Sequence, residues 1–170
     1  KSQKEPVEEE TMACGCPSTQ IQSFVQAAPQ QGSGDPAVQE RSKSALAHWP
    51  VQIKLVPPTA PFLKGADLLV AADCTPVAYP NFHQDFLKGN AVMVGCPKFD
   101  DVQEYVQKFA DIFNTAGVRS VTVVVMEVPC CQGLPIIVER GMEAAGKKVP
   151  MEKVVISARG EVLGREKLAA

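Results

Sequence analysis

Three short, continuous apolar runs constrain the fold of this 170-residue chain more than any other feature. They are Leu68–Ala72, Ala91–Gly95 and Ser120–Val128, and each ends at a turn-prone stretch. An apolar run of this length without alternation is typical of a strand that is buried on both faces, as in parallel sheets covered by helices. The runs therefore predict a sheet with both faces packed against other elements.

Two amphipathic segments supply covering helices. Asp101–Ala116 carries apolar residues at helical spacing, with Asp100 and Asp101 suited to its start and Gly117 after its end. A second helix is predicted from Leu134 to Ala145 by the same pattern. The remaining predicted elements are strands at Val51–Val56 and Val154–Ser157, helical turns at Pro61–Lys64 and Asn81–Lys88, and a polar tail at Gly160–Ala170.

Strands that alternate with helices predict an α/β fold with three layers, in which a mainly parallel sheet of about five strands is flanked by helices. This is a Rossmann-like arrangement. Residues 1–45 are polar and rich in turn formers, so they are predicted to form an extended N-terminal arm. Residues 46–170 then form the α/β domain.

Composition excludes several classes of function. A net charge of −2 without a basic stripe argues against nucleic-acid partners. No apolar run approaches the roughly 20 residues that span a bilayer, and no leader is visible, so a cytoplasmic protein without membrane contact is predicted. No Gly-rich phosphate loop occurs. The charged opening without Met predicts a fragment or a processed form.

The cysteines are placed at the ends of the predicted strands. Cys74, Cys96 and the adjacent pair Cys130–Cys131 follow the three apolar runs. The carboxyl ends of parallel strands meet at one edge, where α/β proteins bind their ligands. Cys14 and Cys16 lie in the arm and could close over the same place. Six cysteines without a secretory segment favour metal ligation or redox chemistry over a disulfide scaffold.

Thiolates are soft ligands that favour iron–sulfur clusters and zinc. The adjacent pair can reach one centre only if the strand has ended, and Gln132-Gly133 supplies the turn. The helix that follows would direct its N-terminal dipole at the thiols, which favours a thiolate or an anionic cluster. Buried cysteines that only fill the core, a structural zinc site and a dithiol redox pair remain alternatives.

Longer stretches around these cysteines resemble a known family. The stretches are His48-Trp49-Pro50-Val51-Gln52, Leu55-Val56-Pro57-Pro58-Thr59-Ala60-Pro61, Ala71-Ala72-Asp73-Cys74, Asp85-Phe86-Leu87-Lys88-Gly89, Gly95-Cys96-Pro97-Lys98 and Met126-Glu127-Val128-Pro129-Cys130-Cys131. Over about residues 12 to 162 the chain is similar to the C-terminal region of the 4Fe-4S ferredoxin-type, iron–sulfur cluster-binding protein family of anaerobic prokaryotes. Family members carry an N-terminal two-cluster ferredoxin module, whose cysteine runs do not occur here.

The resemblance implies a cluster, most simply 4Fe-4S, at the carboxyl edge of the sheet. The implied ligands are Cys16, Cys74, Cys96, Cys130 and Cys131, with Cys14 ranked below them. Cys130-Cys131-Gln132-Gly133 also resembles the Cys-Cys-Gly element of heterodisulfide reductase subunits, which implies that all five cysteines could bind a non-cubane cluster.

The expected function is electron transfer to a redox partner protein, with homo-oligomerisation left open. The alternative is an oxidoreductase of the reductase type, in which an unusual cluster binds a small molecule.

Overall fold

The computed structural model describes residues 17–24 and 43–168. Its strands are β1 Gln22–Ser23, β2 His48–Trp49, β3 Asp67–Ala72, β4 Ala91–Gly95, β5 Ser120–Met126, β6 Met151–Ile156 and β7 Val162–Leu168. Its α-helices are α1 Thr75–Ala78, α2 Val102–Thr115 and α3 Gly133–Ala144. Single 3₁₀ turns span Pro17–Thr19, Pro61–Leu63 and Pro129–Gln132, and a π-type turn spans His83–Leu87.

The main sheet has five strands in the order β4-β3-β5-β6-β7, and only β7 runs antiparallel to its neighbour. After β3 the chain moves to one side to form β4, then crosses back to form β5 on the other side. A topological switch point therefore lies between β3 and β5, and ligands of such folds bind outside the carboxyl ends of the strands there.

Right-handed crossovers place α2 and α3 on one face of the sheet and the segment 75–87 on the other. β3 is buried along nearly its whole length, as its continuous apolar sequence requires. The predicted α/β fold with a mainly parallel five-stranded sheet is thus confirmed. Among the described residues, the helices are too short or too polar to traverse a lipid bilayer.

Two of the predicted elements are wrong. Val51–Val56 is not a strand, because Leu55 and Val56 both donate their N–H groups to Gln52 O, at 2.9 and 3.0 Å, and so turn the chain after one parallel bridge between Gln52 and Val94. The stretch from Gly160 is not a tail throughout, because it forms β7. An edge strand needs a neighbour on one side only, so its exposed polar residues do not prevent pairing.

α2 begins and ends as predicted to within one residue. The Asp101 carboxylate accepts hydrogen bonds from the N–H groups of Gln103 at 2.8 Å and Glu104 at 3.0 Å, which satisfies the free donors of the first turn. At the other end Gly117 has φ 61°, a left-handed conformation that favours glycine. The cap fixes where the segment after β4 turns into the helix, and this segment carries Cys96.

Gly141 permits the close approach of α3 to α2, which yields a stability prediction. A methyl group at position 141 would lie 2.5 Å from Phe109 Cβ and 3.3 Å from the backbone N of Ala110. We expect Gly141→Ala to lower the free energy of unfolding by about 2 kcal/mol, because neither Phe109 Cβ nor the backbone of α2 can move away from the added methyl group. Urea denaturation followed by circular dichroism measures the change.

Gly133, in the same helix, provides the matched control. A methyl group there meets nothing within 4 Å, and the residue has φ −70°. Gly133→Ala should therefore stabilise the protein by about 0.5 to 1 kcal/mol through helix propensity. If Gly141→Ala proved as stable as Gly133→Ala, the close packing of the two helices would be contradicted.

Candidate functional site

Three of the predicted cysteines lie beside the switch point. Cys74 directly precedes α1, two residues after β3. Cys130 and Cys131 lie in the 3₁₀ turn between β5 and α3, so the strand ends before them. The turn separates the two side chains, since Cys131 is buried and Cys130 is exposed. Cys74 is also exposed.

The three thiols act on one another electrostatically. The pKa of Cys131 is raised, first by burial and then by the charge of Cys130, by a hydrogen bond with Cys130 and by the charge of Cys74. A hydrogen bond with the backbone of Met126 opposes this rise. Because Cys74 and Cys131 follow different strands, this interaction spans the switch point. The structure thus places Cys74, Cys130 and Cys131 after the carboxyl ends of the adjacent strands β3 and β5, and we call them the switch-point thiols.

Cys96 lies on the other side of β3. It directly follows β4, where Gly95 is paired with Ala72, and its side chain is partly exposed. Within residues 17–24 and 43–168, the Cys96 thiol is absent from the interactions that shift the pKa of Cys131. Its C=O group instead accepts from Asp100 N at 3.0 Å and from Phe99 N at 3.1 Å, and its backbone contributes to the lowered pKa of Asp100.

Cys14 and Cys16 lie outside the described residues, but the segment that follows them is attached to the domain. β1 pairs antiparallel with β2, Phe24 N–H donates to Ala47 O at 2.6 Å, and Trp49 Nε1 donates to Ser18 O at 3.0 Å. Beyond β2 the chain runs parallel to β4 at the Gln52–Val94 bridge. The direction of β1 towards Pro17 is therefore towards the carboxyl end of β4.

Comparisons with known proteins identify the fold family. Residues 60–170 match the family model described as "Rossmann-like domain". The chain belongs to this family. An uncharacterized protein of Archaeoglobus fulgidus is 37% identical over 117 residues, which cover 69% of this chain and 82% of the archaeal protein. No solved structure matches the chain. Cys74, Cys96, Cys130 and Cys131 all fall within the part that matches the Rossmann-like domain.

The side chains of the described Rossmann-like domain do not form a closed metal site. Within residues 17–24 and 43–168, no group of three or more His, Cys, Asp or Glu side chains is placed to hold a metal ion. The switch-point thiols are nevertheless soft donors at one open edge, which fits part of a cluster's ligand set. A complete set needs Cys16, Cys96 or a rearrangement of the turn Pro129–Gln132.

Sequence reasoning missed a buried network beside Cys96 in this Rossmann-like domain. Tyr105, on α2, donates its hydroxyl to Asp100 Oδ2, and burial and this bond both raise the pKa of Tyr105. The Tyr105 bond and the nearby Lys54 ammonium lower the pKa of Asp100. Partial burial and the charge of Asp100 raise the pKa of Asp73, which precedes Cys74. The acidic residues were visible in the sequence, but their common partner on the inner face of α2 was not.

The two histidines serve the fold rather than the thiols. His48 is 1% exposed, and its Nε2 accepts from Val92 N–H at 2.9 Å while its Nδ1 donates to Pro50 O at 3.2 Å. Its ring stacks on Phe62 with 3.8 Å between centroids. His83 is exposed, and its Nδ1 accepts from Ala45 N–H at 3.1 Å. Both contacts fasten the segment that enters the domain.

Proposed function

We propose that this chain binds an iron–sulfur cluster at the carboxyl edge of its sheet and transfers electrons to a redox partner protein. The observation that carries the proposal is the grouping of Cys74, Cys130 and Cys131 at the switch point. Three thiols from two separate strand ends interact there, in the crevice where Rossmann-like sheets bind ligands. Thiolates are the usual ligands of iron–sulfur clusters. When bound, such a cluster accepts and releases single electrons.

The three switch-point thiols differ in exposure, and each would contribute differently to holding a cluster. Cys74 and Cys130 are exposed, so both can reach a centre outside the sheet without opening the core. Cys131 is buried against the domain and lies next to Cys130 in the same turn. The turn Pro129–Gln132 directly precedes α3, so the positive end of the helix dipole lies next to the pair and favours negative charge there.

The fourth ligand is proposed to be Cys16, with Cys96 as its competitor. The direction of β1 supports Cys16, because the chain leads from β1 towards the edge that carries the thiols, and Cys16 is one residue before the described segment. Cys14 remains a weaker candidate for a cluster ligand than Cys16.

Anaerobic purification with metal analysis tests the proposal. We expect a brown protein with about four irons and four acid-labile sulfides per chain, whose visible absorption bleaches on reduction by dithionite. The measurements are iron by plasma mass spectrometry, sulfide by colorimetry, and the visible spectrum before and after dithionite. A colourless protein loaded with zinc would contradict the cluster and would support a structural metal domain.

A dithiol redox function is the second candidate. It is favoured by the adjacency of Cys130 and Cys131 in one turn, and by the absence of a ready metal-holding group among the described residues. Its signature is a colourless, metal-free protein that loses free thiols on treatment with oxidised glutathione and regains them with dithiothreitol. Peptide mapping of the oxidised form would show whether Cys74 is joined to the pair.

A further inference from the structure

The hydroxyl of Tyr105 is enclosed at the carboxyl end of β4. The residue is 1% exposed, and its ring packs against the backbone of Gly95, the last residue of the strand. A methyl group at position 95 would overlap Tyr105 Oη and would lie 2.7 Å from Ile53 Cδ1. Because only glycine leaves room for the ring here, packing fixes the position of the phenol oxygen, and its hydrogen bond to Asp100 sets the direction of the O–H group.

This hydroxyl donates to Asp100, and Asp100 contacts Cys96 in turn. The Asp100 N–H donates to Cys96 O at 3.0 Å, and the backbone of Cys96 contributes to the lowered pKa of the Asp100 carboxyl. Lys54 Nζ lies 3.3 Å from Asp100 Oδ1, and this ion pair lies on the solvent side of the Asp100–Tyr105 contact. The Cys96 carbonyl also accepts from Phe99 N–H at 3.1 Å, so two backbone bonds close the turn after β4 on Cys96, and Tyr105 holds the Asp100 side chain at the end of that turn.

The same network reaches the segment that carries Cys74. Asp73 precedes Cys74, and its N–H donates to Gly95 O at 3.2 Å. After burial, the charge of Asp100 raises the pKa of Asp73, and the charge of Asp73 contributes to the raised pKa of Tyr105. The carboxyl ends of β3 and β4 are thus tied to one buried hydroxyl, although α2, which carries it, contributes no cysteine.

We propose that Tyr105 is a positioning residue for the thiol edge: by fixing Asp100 it holds the segment after β4, and with it Cys96, in one conformation. The inference rests on the proposed function in treating this edge as the cluster site. A residue that only stabilised the fold would change the unfolding midpoint and leave the reactivity of each cysteine in the folded state alone. Substitution of a positioning residue changes the alkylation rate of Cys96 selectively.

The test compares Tyr105→Phe with the matched control Tyr79→Phe. Tyr79 also donates its hydroxyl to an aspartate, Asp85 Oδ2 at 2.5 Å, but on the segment after α1 and in an exposed position. Both variants lose only a hydroxyl. In the metal-free chain we expect iodoacetamide to alkylate Cys96 at least about fivefold faster in Tyr105→Phe than in wild type, because local opening of the segment exposes the thiol. Peptide-resolved mass spectrometry measures each cysteine separately.

Two further measurements complete the test: the alkylation rate of Cys130, as the reference, and the reduction potential of the iron-loaded protein. Cys130 should react at the wild-type rate in Tyr105→Phe, and Tyr79→Phe should leave both rates within twofold. In the iron-loaded protein, Tyr105→Phe should shift the reduction potential to more negative values, because Asp100 loses a hydrogen-bond donor that offsets its charge. The double variant Tyr105→Phe with Asp100→Ala should react at Cys96 no faster than Asp100→Ala alone.

An unchanged Cys96 rate in a folded Tyr105→Phe protein would overturn the inference, as would equal acceleration at Cys96 and Cys130. The failure of the proposed function has a separate signature. If wild type binds no iron while Tyr105→Phe still accelerates Cys96 selectively, the positioning of Cys96 stands and the cluster does not. Alkylation is measured in the metal-free chain, so this result does not depend on loading.

Discussion

Replacing Cys74 with serine should leave a folded protein that retains less than about a tenth of the wild-type iron, because a neutral hydroxyl is a far weaker ligand than a thiolate. Cys74 is the sharpest position for this test. Its side chain is exposed, so the substitution should change the free energy of unfolding by less than about 0.5 kcal/mol. Cys131 is buried, and its loss would confound ligation with folding.

Val77→Ser is the control for Cys74→Ser. Val77 lies on the same short helix and is 88% exposed, so its substitution disturbs the local surface without removing a thiol. Iron and sulfide per chain are measured after anaerobic purification, and circular dichroism verifies the fold. Full iron content in Cys74→Ser would exclude the switch point as the cluster site. Equal loss in both variants would show that the segment, rather than the thiol, is needed.

The same measurement assigns the fourth ligand. Cys130→Ser should lose iron as Cys74→Ser does, whereas Cys14→Ser should lose little. Cys16 and Cys96 are the competing candidates. If Cys16→Ser strips the iron and Cys96→Ser does not, the arm closes the site. The reverse result would place the cluster across β3, between the ends of β4 and β5.

The sheet was readable from the sequence because its central strands are buried on both faces. The apolar run that contains Ser120–Met126 forms β5, which is largely buried between two layers, whereas Glu127 and Val128 beyond its end are exposed. The edges carry no such constraint. Val51–Val56 looks like a strand but turns after one bridge, and β7 looks like a tail but pairs with β6. Pairing at an edge is decided by a single neighbour, which local sequence does not specify.

The grouping of the thiols depends on strand order, which the sequence did not contain. The sequence predicted that all the strand-end cysteines share the carboxyl edge of the sheet, and this prediction identified Cys74, Cys96, Cys130 and Cys131 as candidates. However, β4 and β5 lie on opposite sides of β3, which separates Cys96 from Cys130 by a whole strand. The role of Tyr105 was hidden for a related reason. Its helical spacing predicted only a core residue, and its partner Asp100 becomes visible once α2 is packed against β4.

Acidification should destabilise the protein through His48. Both ring nitrogens are engaged and Nε2 is an acceptor, so the folded chain holds the neutral ring. Burial lowers the pKa of His48 from 6.5 to about 4, against a smaller opposing effect of the bond to Pro50. Since the folded pKa lies below the unfolded one, the unfolded chain binds the proton first. The contribution is fully present above pH 6.5 and is lost as the pH falls towards 4, by about 3 kcal/mol in all.

Urea denaturation between pH 7.5 and 4 isolates this effect when wild type is compared with His48→Gln. The variant is less stable at pH 7.5, because it loses the stack on Phe62. Its free energy of unfolding should fall less steeply with acid, since carboxylates titrate equally in both proteins and cancel. His83→Gln is the control at the other histidine of the chain, which is exposed. Replacement of this exposed ring should leave the wild-type slope unchanged. Equal slopes in all three proteins would mean that folding does not disfavour the charged ring of His48, and would contradict a segment beside β4 that is held by the neutral ring.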